Sequence, residues 1–513
     1  MGTIAFINAV QCTGYAFEPV YGEKSAVQSA LEYAETLPDN EKIIILSTEG
    51  EEKRFPPSVE GDIVIRETWT FQDILDEMLR RAGEADHFYY FYADCPLLSP
   101  ALTEGLYRTH TTYYADYTFA DGYPYGMTPE ILKSEMLQAV RKLAGDDPLP
   151  VERNSLFTVI QRDINAFDIE TEIAEKDMRM LRISLTCDTR RNYLQVKRLM
   201  ETAGNAGEAA GVGAENILSS VEKNPEYLRT LPAFIDFQIS ARCPQACTYC
   251  PYPEVRKDLL ETGEEMDLED FSGMIGKIAD FCGDAVIGIG YLGDPGSHSR
   301  VEDFVERVLR YPNLDLLIVT SGVGWRAESL ERITAAAKSL PGGVERLTWI
   351  VSLDGWSERV YREHRGEGFA EALRFVKGLG EIFPRSTYVQ AVRMKSNEAD
   401  LEDFYRNWKR ELGNVIIQKY DSFSGFLPDR AVTDLSPVKR FPCWHIKRDL
   451  VVRLDGTVPQ CKEDVQISRV LGNLIRDPLE KIWNRGGDIY GEHLRGDYSP
   501  MCEGCDEYYT YYY

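Results

Sequence analysis

Three cysteines fall within eight residues in the run Cys243-Pro-Gln-Ala-Cys247-Thr-Tyr-Cys250. Where the cytosol keeps thiols reduced, such a cluster points to metal or redox chemistry before disulfides. Three thiolates hold three irons of a cubane 4Fe-4S cluster. Full ligation takes four, so this spacing leaves one iron open to chelate a substrate. A zinc site completed from elsewhere, or a ferredoxin-type cluster with a distant fourth ligand, are the alternatives. A second group follows: twelve residues separate Cys443 from Gly456, four more separate that glycine from Cys461, and Cys502-Glu-Gly-Cys505 comes near the chain end. Four thiols suffice for one further iron-sulfur cluster, and they equally suit a structural zinc ribbon.

These cysteines need elements to position them. The stretches Phe234 to Ser240, Ala285 to Tyr291, Leu316 to Thr320, Leu347 to Ser352, Tyr388 to Met394 and Val415 to Gln418 are apolar, of strand length, and separated by helix-like segments. Six such units suit a complete or partial β/α barrel, which carries its chemistry on loops past the strand ends, and Cys243 lies just past the first of them. Upstream, Ile4 to Ile7, Ile43 to Leu46, Ile63 to Ile65 and Phe88 to Tyr92 alternate with helical patterns in the same way, which favours a doubly wound, parallel α/β sheet. The run Ala203 to Gly213 is rich in small residues without apolar periodicity and reads as flexible. The expected organisation is a first domain over 1–202, a linker over 203–231, a barrel over 232–430 and a small cysteine-bearing domain over 431–513. The last is too small for a large core and would take its stability from metal.

With 513 residues, several cores are expected. The formal net charge of −26 and pI near 4.8 argue against nucleic acid and anionic membrane as partners. No run of eighteen apolar residues occurs, Met1 to Val10 lacks a signal-peptide pattern, and Phe6 stands where N-myristoylation wants Ser or Thr. A soluble, cytoplasmic protein is expected. The closing Tyr508-Tyr-Thr-Tyr-Tyr-Tyr513 reads as an aromatic tail packed on the surface.

From Phe234 to Asp421 the sequence resembles the radical S-adenosylmethionine (SAM) superfamily. The resemblance implies that Cys243, Cys247 and Cys250 hold the cluster and that SAM binds the open iron. An electron passed from the cluster would then yield a 5'-deoxyadenosyl radical, which takes hydrogen from an unactivated carbon. By the same resemblance Tyr249 packs on the adenine, and Gly290-Tyr-Leu-Gly293-Asp294 stands where the family carries Gly-Gly-Glu for the methionyl amine, with a reach one methylene shorter. Ser352-Leu-Asp354-Gly looks like the ribose-contacting element, and Arg393 of Gln390-Ala-Val-Arg393 is similar to an arginine that meets the SAM carboxylate. The second cysteine group resembles the SPASM/twitch extension, with Leu454-Asp-Gly-Thr457 as its hairpin turn; it departs from the full pattern by holding four cysteines rather than seven, enough for one auxiliary cluster. Implied partners are an electron donor such as flavodoxin or ferredoxin and a small-molecule or peptide substrate.

Most of Ile4 to Thr202 is similar to nucleotide-sugar cytidylyltransferases. The similarity runs through Ala93-Asp94-Cys-Pro-Leu-Leu-Ser-Pro100, Ala115-Asp-Tyr-Thr118, Tyr123-Pro-Tyr-Gly126 and Arg182-Ile-Ser-Leu-Thr-Cys-Asp188-Thr. It implies Mg2+ held by Asp94 and Asp188 against a triphosphate. Their phosphate-binding loop is basic, whereas here Asn8 to Pro19 holds no cation and none appears until Lys24. The expectation is therefore a degenerate domain, retained to bind a nucleotide, a sugar nucleotide or a protein partner, with Cys95 and Cys187 as packed thiols. The combined architecture looks like the spirochaete-type SPASM proteins, and a sugar or nucleotide-sugar derivative is the leading substrate class. The alternatives are a peptide-modifying maturase, a nucleotidyltransferase with structural iron-sulfur domains, and a non-enzymatic electron carrier.

Overall fold

The computed structural model describes residues 2–56, 61–204, 214–262 and 264–510. It divides into two compact units, Met1–Thr230 and Leu231–Tyr513.

The first unit is built on a seven-stranded sheet in the order β5-β4-β1-β6-β8-β7-β9. The strands are β1 (Thr3–Asn8), β4 (Asn40–Thr48), β5 (Asp62–Arg66), β6 (His87–Tyr92), β7 (Tyr117–Asp121), β8 (Glu130–Lys133) and β9 (Ile169–Ile173), with a small hairpin of β2 (Pro19–Tyr21) and β3 (Lys24–Ser25) outside the sheet. β1 and β6 are buried throughout, as strands covered on both faces must be. The expected parallel order holds except at β8, which runs antiparallel to both neighbours. Most of the expected flexible run, residues 205–213, lies outside the described residues. The rest of the expected linker is not one: Ala214–Lys223 is a helix whose Ile217 and Val221, four residues apart on one face, join the core of the first unit.

The second unit carries six parallel strands in chain order, β10 (Phe234–Phe237), β11 (Ala285–Ile289), β12 (Leu314–Thr320), β13 (Leu347–Ser352), β14 (Thr387–Arg393) and β15 (Val415–Lys419). A seventh, β16 (Asp449–Val452), pairs in parallel with β10 at the other edge. The sheet of the partial barrel is therefore extended by a strand from the cysteine-bearing segment. Leu450, Val452, Ile482 and Trp483 share one core with the barrel, because a segment this short buries its apolar residues only against a larger neighbour. The hairpin β17 (Thr457–Pro459) and β18 (Val470–Asn473) follows. The helices that cover the sheet are sequence-specified in the ordinary way. In Leu268–Cys282, Asp267 caps the amides of Glu269 and Asp270, the residues Phe271, Met274, Ile275 and Ile278 turn inward, and Gly283 ends the helix at φ 78°.

Candidate functional site

At the C-terminal ends of β11 to β15 lies a cavity of about 200 Å3 lined by Cys243, Cys247 and Cys250, together with Tyr249, Gly293, Asp294 and Ser352. The cysteine loop is pinned on several sides. The backbone amide of Cys243 donates to the Tyr252 hydroxyl (3.0 Å), which donates to the Ala241 carbonyl (3.0 Å), and Gln245 Nε2 donates to the Glu367 carbonyl (2.8 Å). Gly293 is required there: a Cβ would stand 1.9 Å from the Ser240 carbonyl oxygen, on the approach to the loop. Gly290, at φ 146°, has the Val319 carbonyl 2.5 Å from where its Cβ would be. Burial pushes all three thiols up, Cys250 to about 12, so the thiolates that iron needs form only with a cation to stabilise them.

The other expected contacts divide. Asp294 reaches the cavity, but its carboxylate is already held by the amides of Gly296 (2.9 Å) and Ser321 (2.7 Å) and by the Thr320 hydroxyl (2.9 Å); burial raises it above the usual carboxylate range. Asp354 does not line the cavity. It is fully buried at φ 61°, receives the Tyr249 hydroxyl (2.5 Å), Arg365 Nη1 (2.6 Å) and the Val392 amide (2.7 Å), and so braces Tyr249 from behind instead of presenting oxygens to a ribose. Arg393 is also corrected. Gln390 and Val392 line the cavity, so strand alternation turns Arg393 to the opposite face, where it pairs with Glu398. The buried guanidinium on the cavity wall belongs to Arg365, at the end of the helix Glu358–Arg365, where no spacing in the sequence pointed. Lys419, Asp421 and Lys462 complete the wall. A signal existed for the first two, which stand at and just past the end of the sixth strand, where a barrel places its chemistry.

Cys443, Cys461, Cys502 and Cys505 line one further cavity. The turn after β16 behaves as its sequence suggested, with Gly456 at φ 79° and its amide donating to the Arg453 carbonyl (2.9 Å). The amide of Cys443 donates to His493 Nδ1 (3.3 Å), and Arg440 Nη1 donates to the Glu503 carbonyl (2.9 Å) beside the last cysteine pair. Lys462 lines both cavities. It pairs with Asp421 (3.3 Å) and Glu463 (3.4 Å), and the carboxylates of Asp421, Glu463 and Glu507 converge within 4.8 Å, with Lys419 held by Asp506 (2.8 Å) and Glu507. A polar, charged wall thus separates the two thiol sites.

In the first unit, Asp94 and Asp188 do come together, but a guanidinium stands between them. Arg153 Nη2 pairs with Asp94 and, at 3.1 Å, with Asp188, while Nη1 donates to Asp94 Oδ1 (3.1 Å). Burial alone would raise Asp188; Arg153 and hydrogen bonds from Thr186 and Asn192 bring it below the usual carboxylate range. The side chains expected to hold Mg2+ are therefore committed to a built-in cation. Cys95 and Cys187 are buried, as packed thiols would be.

A parallel barrel with three thiols at its strand ends, joined to a four-thiol site, defines a class. Residues 237–407 match the radical SAM superfamily model and residues 443–506 the SPASM iron-sulfur cluster-binding domain, so the chain belongs to the radical SAM superfamily and is an enzyme that uses 4Fe-4S chemistry with SAM. Within that class it shares a family with an uncharacterized protein of Treponema pallidum (strain Nichols), at 37% identity over 363 residues that span 69% of this chain and 98% of the relative. Solved structures with similar folds include a cytidylyltransferase from Leptospira borgpetersenii (17% identity, 44% of this chain and 95% of that one, TM-score 0.36). Others are SuiB of Streptococcus suis bound to S-adenosylmethionine (12%, 55% and 74%, TM-score 0.41) and BtrN in complex with AdoMet and 2-DOIA (19%, 54% and 93%, TM-score 0.35). No described helix is long and apolar enough to cross a membrane.

Proposed function

We propose that this enzyme abstracts hydrogen from a small polar substrate, a sugar or nucleotide-sugar derivative, with one auxiliary cluster beside the substrate. The observation that carries the reading is the shared wall: Lys462 lines both the triad cavity and the four-cysteine cavity. When bound, the cluster on Cys243, Cys247 and Cys250 together with SAM supplies a 5'-deoxyadenosyl radical. The chain's own task is to bind, orient and exclude water. Tyr249 offers a ring face held by Asp354 and Arg365, so its position is set before any ligand arrives. Gln390, Lys419, Asp421 and Lys462 present donors and acceptors suited to hydroxyl and phosphate groups, a lining poorly matched to an apolar peptide side chain. Cys443, Cys461, Cys502 and Cys505, which line one cavity and of which Cys443 belongs to the barrel's core, hold the auxiliary cluster in this reading, which supports a fixed electron path to or from the substrate. A flavodoxin or ferredoxin provides the electron.

The first unit, in this reading, does not transfer nucleotides. Arg153 occupies the space between Asp94 and Asp188, and the loop Asn8 to Pro19 offers no cation for a triphosphate. The test is anaerobic reconstitution followed by incubation of reduced enzyme with SAM and deuterated sugars or nucleotide-sugars. Deuterium in 5'-deoxyadenosine from one sugar class is the expected result; transfer only from labelled peptides overturns the substrate assignment. Robust CTP turnover with Mg2+ that is lost in Asp94→Ala overturns the reading of the first unit.

A further inference from the structure

Beside Arg153 the first unit holds an open cavity of about 230 Å3. Its lining is dominated by aromatic rings, among them Tyr92, Tyr117, Phe119, Tyr125 and Phe157, with one carboxylate, Glu130. Those rings already bind a cation by their faces: the Arg153 guanidinium lies 5.0 Å from the Tyr92 centroid and 5.4 Å from that of Tyr125. Tyr117, Phe119 and Phe157 pack on one another, with centroids 5.2 to 6.3 Å apart, as one wall of the cavity. The loop closing the cavity is equally set. Gly126 sits at φ 92° with the Leu185 carbonyl oxygen 2.7 Å from where a Cβ would be, between Pro124 and Pro129.

Charge decides what such a cavity takes. Arg153 is the one cation among the lining residues, and Asp94 and Asp188 together more than neutralise it. Glu130, which accepts from the Tyr117 hydroxyl, adds a further negative charge when ionised. A phosphate or carboxylate ligand would find no free counter-charge here. A cation would find aromatic rings and a carboxylate, both of which attract it.

We propose that this cavity binds a small organic ammonium ion, held by cation–π contact with the rings and by Glu130, without a metal. The site lies wholly in the first unit and is independent of the radical chemistry, so its test does not depend on cluster loading. The full chain is titrated calorimetrically with tetramethylammonium, with tert-butanol as a neutral near-isostere, and with glucose 1-phosphate. Burial raises Glu130 to about 7, so titrations are run at pH 8, where it is ionised. The expected result is saturable binding of tetramethylammonium, at least about tenfold tighter than tert-butanol, with no binding of the sugar phosphate at this site. Glu130→Gln and Phe157→Leu should each weaken the ammonium by about tenfold, the first without changing the neutral probe. Absence of ammonium binding, equal affinity for the neutral probe, or tighter binding of the sugar phosphate overturns the proposal on the native chain alone. An ammonium affinity untouched by Glu130→Gln in a variant that melts like the native protein does so as well.

Discussion

Arg153 offers the sharpest test of the first unit. Replacing it with methionine keeps the hydrocarbon stem but removes the cation that stands between two carboxylates, of which Asp94 is 4% exposed and Asp188 26%. Breaking a buried pair by deleting one partner costs about 3–5 kcal/mol; because the Arg153 side chain is 28% exposed, the lower end applies, about 3 kcal/mol. For a unit of 230 residues each kcal/mol moves the midpoint by roughly 2–4 °C, so the first unfolding transition should fall by about 6–12 °C. The loss should be pH-dependent. Asp188 is depressed in the folded state, so its contribution is present above the unfolded carboxylate pKa and disappears as pH falls through the folded value; native and variant should converge in acid. The variant also exposes two hard oxygen ligands to one space, so Mg2+ or Mn2+ should raise its midpoint while leaving the native protein unchanged. Scanning calorimetry with and without Mn2+ at several pH values reads all three effects. A shift under about 1 °C at neutral pH, or a native protein that binds Mn2+ as well as the variant, refutes the claim that Arg153 replaces the metal.

Other consequences concern the second unit. Gly293→Ala places a Cβ into the Ser240 carbonyl and should displace the cysteine loop, lowering triad iron content and SAM cleavage while far-UV circular dichroism stays native. Arg393→Ala removes a surface ion pair worth about 0–1 kcal/mol and should leave SAM cleavage within about twofold. Arg365→Met strips the partner from fully buried Asp354 and should cost about 3–5 kcal/mol and abolish SAM binding; loss of cleavage in Arg393→Ala with cleavage kept in Arg365→Met would return the role to Arg393. Tyr249→Phe loses a buried hydrogen bond worth about 1–3 kcal/mol at Asp354 and should weaken SAM binding, read by equilibrium dialysis, by roughly tenfold with iron content intact.

What the sequence determined by itself is local. The spacing of Cys243, Cys247 and Cys250 keeps three thiols on one loop in any fold that exposes it, the apolar runs mark six strands of the barrel sheet, and Gly456 marks a turn because its backbone conformation is one that side chains resist. The strand β8 was missed because four residues carry too little pattern, and β16 because its role in the barrel sheet exists only as a pairing with β10, more than two hundred residues upstream. Tertiary structure alone decided which charges meet. Arg153 reaches Asp94 across 59 positions, Lys462 joins two cavities formed by different loops, and Arg365 rather than Arg393 reaches the cavity because the phase of β14 turns one residue in and the next out. Charged groups announce themselves in a sequence, but their partners depend on which loops close over them, and that closure is set by packing of residues that carry no charge at all.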